Sequence, residues 1–382
     1  MGIHIEKVDT ENGWDGFINC PYLVYRNDPN WVAPLISAIT KQLGPNSEFK
    51  QYGEFQAFLA TQNNVPVGRI VASINYRLNE KEGKRIGLFG YFECIDDQNL
   101  ACELIKAATN WLLDRQCTEL RGPIDLSTHN NCLCLVDGFD DPPTIMMPYN
   151  PPYYPKLFEG AGFTVAKNAF AFFTDTVGLP RVFERSYNRA LKAGVTFRPM
   201  HLKSPLFEQD CRKLYRVFSE SFSNNWSATE RTEPEFLAAA QDLKQVADPA
   251  LIPIAELNGE MIGLFIALPD INIALRQVKG RLNLPGILKL LWYRRKMYRM
   301  RVLAIGVLPQ YQNIKYALGP ALTYFFERSI RTQGKYKIAE LSWIWEDNMG
   351  SLGIIKSLGG RHYKTYSIYQ KSLRPTTETI TQ

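Results

Sequence analysis

The chain has 382 residues, enough for two domains of ordinary size. Hydrophobic residues make up 45% and charged ones 21%, the balance of a packed globular protein, which excludes a disordered or fibrous chain. Lys and Arg total 44 against 38 for Asp and Glu, and a net charge of +6 spread evenly is too small to indicate nucleic acid.

No apolar run reaches the roughly 18 residues of a membrane-spanning helix. The first residues, MGIHIEKVDTENGWDGF, lack a basic region followed by an apolar stretch, so no secretory signal is expected. The cysteines number seven, and only Cys132 and Cys134 are close together. That excludes a disulfide framework and makes the cytoplasm the expected compartment. Four scattered histidines and no CxxC pair leave no expected metal site.

In chain order, Phe55–Ala60, a turn at Gln62-Asn-Asn64 and Val65–Ile74 read as strand, turn and strand. Ile86–Ile95 is a further apolar run, and a helix follows from about Asp97. Thr118–Arg121 starts another strand, then a long polar loop runs from Gly122 to Pro155. Lys156–Phe163 and a strand over Ala169–Thr174 complete the first half. The second half repeats this order. Leu251–Glu256, Leu257-Asn-Gly-Glu260 and Met261–Leu268 give strand, turn and strand. Arg301–Leu308 is the matching apolar run, followed by a helix bearing Leu318, Leu322 and Phe326. Ile338–Ile344, a short helix over Gly350–Leu358 and a strand at Tyr366–Tyr369 end it. Val67-Gly68 matches Ile262-Gly263 at an offset of 195, and Gly162 matches Gly359 at 197. The agreement indicates an internal duplication. The expected domains are 1–176 and 199–374, joined by a basic helix over 177–198 and followed by a tail, 375–382.

This order resembles that of the GNAT acyltransferase superfamily. Val307-Leu-Pro-Gln-Tyr-Gln-Asn313 resembles the end of the family's central strand and the start of its pyrophosphate loop. Asn348 precedes Gly359 by eleven residues, the interval of its second cofactor motif. The segments FECIDD, RGPIDLS and ELSWIWEDNMGS look like those of a bacterial tandem GNAT subgroup, and the likeness covers both halves. The resemblance implies an α/β fold: two tandem GNAT-like (acyl-CoA N-acyltransferase) domains, each a mixed, mostly antiparallel sheet flanked by helices. It also implies coenzyme A or acyl-CoA as a co-substrate rather than a permanently bound cofactor. The donor site it implies takes pantetheine amides on Ile305 and Val307 and the rest on Gln312, Asn313, Ile314, Lys315, Tyr316, Ala317 and Asn348.

Such a loop works because a helix N-terminus points unpaired N–H groups at the pyrophosphate. Gln312 and Ala317 fit the usual pattern, while Lys315 replaces a glycine. A Tyr that often protonates the leaving thiolate is Ile355 here, leaving Tyr363, Tyr366 or water. In the first half Asp96 and Asp97 stand where the helix should begin. Carboxylates there cap the helix and repel phosphate, so this half is expected not to bind a nucleotide cofactor.

Amide formation needs a base. Glu346 is the first candidate, beside the presumed donor site. Glu340, Glu93 in the first half and His129 in its long loop are the others. Cys132 and Cys134 read as buried apolar residues. Thr144–Tyr154, rich in Met, Tyr and Pro, is either a pocket wall or a loop packed on its own domain. Residues 271–301 carry nine cations and no acid. Within them 286–300 reads as a basic amphipathic helix with Trp292. The readings open for it are a membrane surface at the inner face, an acidic acyl carrier protein, the phosphates of coenzyme A, or a dimer or domain contact. The expected function is transfer of an acyl group from acyl-CoA or acyl-carrier protein to an amine, small or lipid-like. The alternative is a catalytically inactive GNAT-like binding module. Nucleic acid is not an expected partner.

Overall fold

The computed structural model describes residues 2–373 apart from 177, 224, 282 and 314, with the side chains of Leu291 and Arg294 left aside. The expected tail, 375–382, lies outside the described residues. The chain forms two compact units. The first comprises Met1–Asn168, Val278–Gly286 and the residues from Lys364 on; the second comprises Ala169–Gln277 and Ile287–Tyr363.

In the first unit the chain runs through β1 (His4–Lys7), α1 (Glu11–Val24), α2 (Ile36–Leu43), β2 (Gly53–Gln62) and β3 (Val65–Asn75). It continues through α3 (Tyr76–Glu82), β4 (Ile86–Cys94), α4 (Gln98–Leu113), β5 (Glu119–Gly122), β6 (Cys134–Asp137) and α5 (Tyr154–Gly160). The long loop expected over 122–155 therefore contains a short strand. Neighbours β1 to β4 pair antiparallel, and β4 pairs parallel with β5. Strand β7 (Thr164–Asp175) starts in this unit and enters the second at Ala169.

The second unit continues with α6 (Arg181–Lys192), β8 (Thr196–Pro199), α7 (Leu206–Phe222), α8 (Glu233–Lys244), β9 (Pro253–Leu257) and β10 (Glu260–Pro269). Helices α9 (Asn272–Val278) and α10 (Leu284–Arg294) lead to β11 (Arg299–Val307), α11 (Leu318–Gln333), β12 (Ile338–Trp345) and α12 (Met349–Ser357). Its strand order is β7, β12, β11, β10, β9, β8, parallel only between β11 and β12. The last strand, β13 (Arg361–Ser372), pairs from Thr365 on with β6 and β5 of the first unit.

The two hairpins β2–β3 and β9–β10 turn the same way. Asn63 and Asn64 have φ of 53° and 63°, and Asn258 and Gly259 have 53° and 80°. Two left-handed residues make the turn whose twist suits a hairpin. Strand β3 reads as nearly continuous apolar sequence because both its faces are covered. Ile70 and Ala72 join the core with Leu104 and Leu112 of α4, while Val71 joins Phe17 and Cys20 of α1. In the second unit Phe265 stacks on Phe326 of α11, their centroids 4.2 Å apart.

The basic helix expected over 286–300 ends instead at Arg294. Met300 is wholly buried in β11, paired with Pro269 and Ala339 on either side. Ladder bonds on both edges and complete burial outweigh a helical pattern in sequence.

Candidate active site

The central strands, β4 and β11, each carry one extra residue. Tyr91 and Phe92 together oppose Ile70, and Leu303 bulges between Val302 and Ala304. Next to each bulge the parallel neighbour leaves. The β4–β5 ladder ends at Leu88–Arg121 and the β11–β12 ladder at Val302–Leu341. Ile95 N–H donates to Val67 O, and Leu308 N–H donates likewise to Ile262 O. Backbone direction alternates along a strand, so Cys94 and its counterpart Val307 turn their N–H and C=O toward the parted edge. By the same alternation Ile305 faces that edge too.

The first unit uses its own atoms there. Cys94 N–H donates to Tyr154 Oη at 2.9 Å, and Tyr153 Oη donates to Cys94 O at 2.8 Å. Ile124 N–H donates to Phe89 O at 2.7 Å, and Tyr91 N–H to Asp125 Oδ1 at 2.6 Å. Asp97 Oδ1 accepts from Asn99 N–H at 2.9 Å and from Leu100 N–H at 3.1 Å, so a carboxylate already caps α4. Glu93 lies 3.6 Å from Arg69 Nη2 and accepts from Tyr154 Oη at 2.8 Å. Burial raises its carboxyl, against the Arg69 charge and the tyrosine hydrogen bonds. Arg69 itself donates to Phe17 O and lies over the Phe17 ring. Cys20 beside this pair is pushed up to about 12 by burial, which keeps it a thiol. Residues 144–154 close over their own unit: Tyr149 Oη donates to Asp28, and Asn150 binds both Leu135 backbone groups. His129 is half-buried in the loop that also holds Asp125, and its N–H donates to Ser127 Oγ.

The second unit differs at each of these points. Val307 O accepts from Gln312 Nε2 at 2.8 Å, where the first unit uses a tyrosine hydroxyl. Gly306 stands where Glu93 stands. A Cβ there would lie 3.1 Å from Ser221 Oγ and 3.3 Å from Phe222 of α7. Helix α11 starts after Ala317, whose φ of 47° and ψ of 43° are left-handed, and no side chain caps it. Its first turn has no acidic residue. Tyr316 and Ala317 N–H both donate to Asn313 O, and Lys315 Nζ sits 5.1 Å from the Tyr316 ring. Ile314 lies outside the described residues. Asn348 caps α12, accepting from Ser351 N–H at 3.1 Å. Glu346 is exposed just past β12.

Glu340 is fully buried. Strand register puts it opposite Arg301, and Arg301 and Gly306 pair with Leu268 and Leu264, two residues of one β10 face. Glu340, Arg301 and Gly306 thus share the face that α7 covers. Arg301 Nε donates to Ser342 Oγ at 2.9 Å, tying β11 to β12 where they part. Both Glu340 carboxylate oxygens, Ser221 Oγ and Trp345 Nε1 are buried and have no hydrogen-bond partner among the described residues. Trp345 contacts Trp343 and Trp226 edge-on or tilted, at 4.4 and 5.4 Å. Sequence reasoning named Glu340 but missed Ser221, Trp226, Arg301 and Gly306. Setting Phe92-Glu-Cys-Ile95 over Ile305-Gly-Val-Leu308 was the available signal.

The chain is 34% identical over 366 residues to the bacterial ceramide synthase of Caulobacter vibrioides, covering 94% of each. The chain belongs to that protein's family. The chain is also 29% identical over 372 residues to Protein YghO of Escherichia coli, covering 95% of this chain and 94% of that one. Among solved structures, a tandem GNAT protein from the clavulanic acid biosynthesis pathway matches 98% of the chain and all of its own, at a TM-score of 0.57 and 10% identity. A GCN5-related N-acetyltransferase from Sphaerobacter thermophilus matches 98% of the chain and 96% of its own, at 0.53 and 13%. These two show the fold. No protein-family model matches the chain.

Asp125 gives a pH test of the first unit's filled edge. Burial holds its carboxyl up at about 7, against the Tyr91 N–H and the Arg69 charge. An unfolded Asp titrates at about 4. Between these values the native state keeps a proton that the unfolded chain has released, so stability falls as pH rises from about 4 to about 7 and then levels off. Asp125→Asn keeps an acceptor for Tyr91 and removes the titration. Its Tm should gain on the wild type between about pH 5 and pH 8. A constant difference would mean that the native carboxyl is charged throughout.

Proposed function

We propose that the protein is an N-acyltransferase whose second unit holds a thioester donor at the parted β11 edge. The observation that carries this is the contrast within one chain. The first unit satisfies its parted edge and caps α4 with its own side chains. Among the described residues the second leaves Ile305 and Val307 unpaired with β12 on their parted side, beside a helix whose first turn has neither acid nor side-chain cap. Pantetheine amides fit the former and a pyrophosphate the latter. Lys315 adds a cation beside the loop, and coenzyme A or acyl-CoA is the co-substrate this fits.

The amine nitrogen attacks the thioester carbonyl, the C–N bond forms and the C–S bond breaks. Glu340 takes the proton that the amine loses. A buried carboxyl without a protein partner is expected where a substrate group supplies it. Ser221, Trp226 and Trp345 line the acceptor side. Glu346, exposed, is the second candidate, and Asn348 serves α12 as its cap. The departing thiolate, at an ordinary pKa of about 8.5, needs no strong acid, so Ile355 is compatible with turnover. The relative's name adds the substrate class. Ceramide is the amide of a long-chain amino alcohol, and we read the acceptor as a lipid-like amine of that kind.

Two variants test the site. Glu340→Gln should lower kcat by about 10²–10⁴-fold in a thiol-release assay with a long-chain amino alcohol, while calorimetry shows unchanged coenzyme A binding. Full activity would remove Glu340 from the chemistry. Lys315→Glu should weaken coenzyme A binding by about tenfold or more at low salt. One coenzyme A per full-length wild-type chain is expected. None would end the donor reading, and two would end the assignment of the first unit as filled.

A further inference from the structure

Helix α10 presents an apolar stripe to solvent. Leu284, Leu288 and Trp292 fall four residues apart, which places them on one side of a helix. They are 73%, 61% and 63% exposed, and Ile287 alongside is 42% exposed. An exposed apolar patch of this kind marks an interaction surface. Lys279, Arg281, Lys289, Arg295 and Lys296 are exposed around it, and no carboxylate occurs between residues 271 and 301.

The approach to the helix is anchored. Ile36 N–H donates to Gly280 O, and Tyr22 Oη donates to Lys279 O. Gly280 has a φ of 76°, and a Cβ there would meet Tyr22 Oη at 2.5 Å. So α10 starts from a fixed turn, and its exposed stripe is part of the fold. No helix among the described residues is long and apolar enough to cross a membrane.

We propose that α10 lies flat on an anionic lipid bilayer, with Leu284, Leu288 and Trp292 inserted among the acyl chains and the flanking cations on the headgroups. The chemistry favours this over an acidic protein. Exposed charges of one sign before, within and after a short apolar stripe suit an extended anionic plane, and Trp is at home at that interface. This proposal does not depend on the acyl-transfer reading, since vesicle binding is measured without substrate.

The test is sedimentation of the full chain with vesicles of phosphatidylcholine alone and of phosphatidylcholine mixed with phosphatidylglycerol. The wild type should bind the anionic vesicles, and added salt should weaken binding. The variant L284Q/L288Q/W292Q should bind at least about tenfold more weakly, with unchanged Tm and circular dichroism. K289Q/K296Q should lose about tenfold on anionic vesicles only. Equal binding by wild type and the apolar variant overturns the proposal, as does a wild type that stays in the supernatant. A wild-type dimer that the apolar variant dissociates, without vesicle binding, also overturns it and makes this face a contact between copies. Binding to an acidic acyl carrier protein that the same variant abolishes, without vesicle binding, overturns it in favour of a protein partner.

Discussion

The structure depends on one constraint: two parallel strands stop pairing part-way along. After Val302 and Leu341 the ladder between β11 and β12 ends, and every backbone group on the freed edge needs another partner. The chain meets this demand twice and answers it in two ways. Around β4 it supplies two tyrosine hydroxyls, an aspartate and a backbone amide. Around β11, among the described residues, Gln312 binds the Val307 carbonyl and Arg301 binds Ser342. A demand that the protein leaves open is one that a substrate's amides can meet.

The same division extends to the side chains. Glu93 and Arg69 form a compact ionic pair under α1, capped by Tyr154. Such a pair is expensive to break and hard to use, because removing one partner strands a buried charge. Gly306 at the corresponding place brings no side chain and lets Ser221 and Phe222 come close to the strand. Glu340, one strand over on the same face, is then a buried carboxyl without a hydrogen-bond partner among the described residues. Among the described residues, the second unit is therefore the one that leaves buried polar groups on this face without partners, while the first fills the corresponding place with its own side chains.

The elements were largely legible in the sequence. Both hairpins, both central strands and the helices after them follow from apolar periodicity and turn residues, and Asp97 caps its helix as its residue type requires. Glu340 could be named, but its isolation could not, because an orphaned carboxyl is a statement about everything around it. Asp125 is one of several acids in the segment 122–155, and nothing in its spacing marks it. Its bond to the Tyr91 N–H arises because the chain returns to β4 after 34 residues. The helix expected to reach residue 300 shows the same limit, since local pattern competes with two ladders brought from far along the chain.

By itself the sequence determined the repeated element order, the two-residue turns and the concentration of cations between residues 271 and 301, because each rests on neighbouring residues and local sterics. Only the tertiary structure decided that β13 pairs from Thr365 on with β5 and β6 and that one parted edge is filled while the other is not. It also decided that Leu284, Leu288 and Trp292 face water. Those outcomes depend on which distant backbone group or side chain arrives at a given edge, and spacing along a chain carries no record of that.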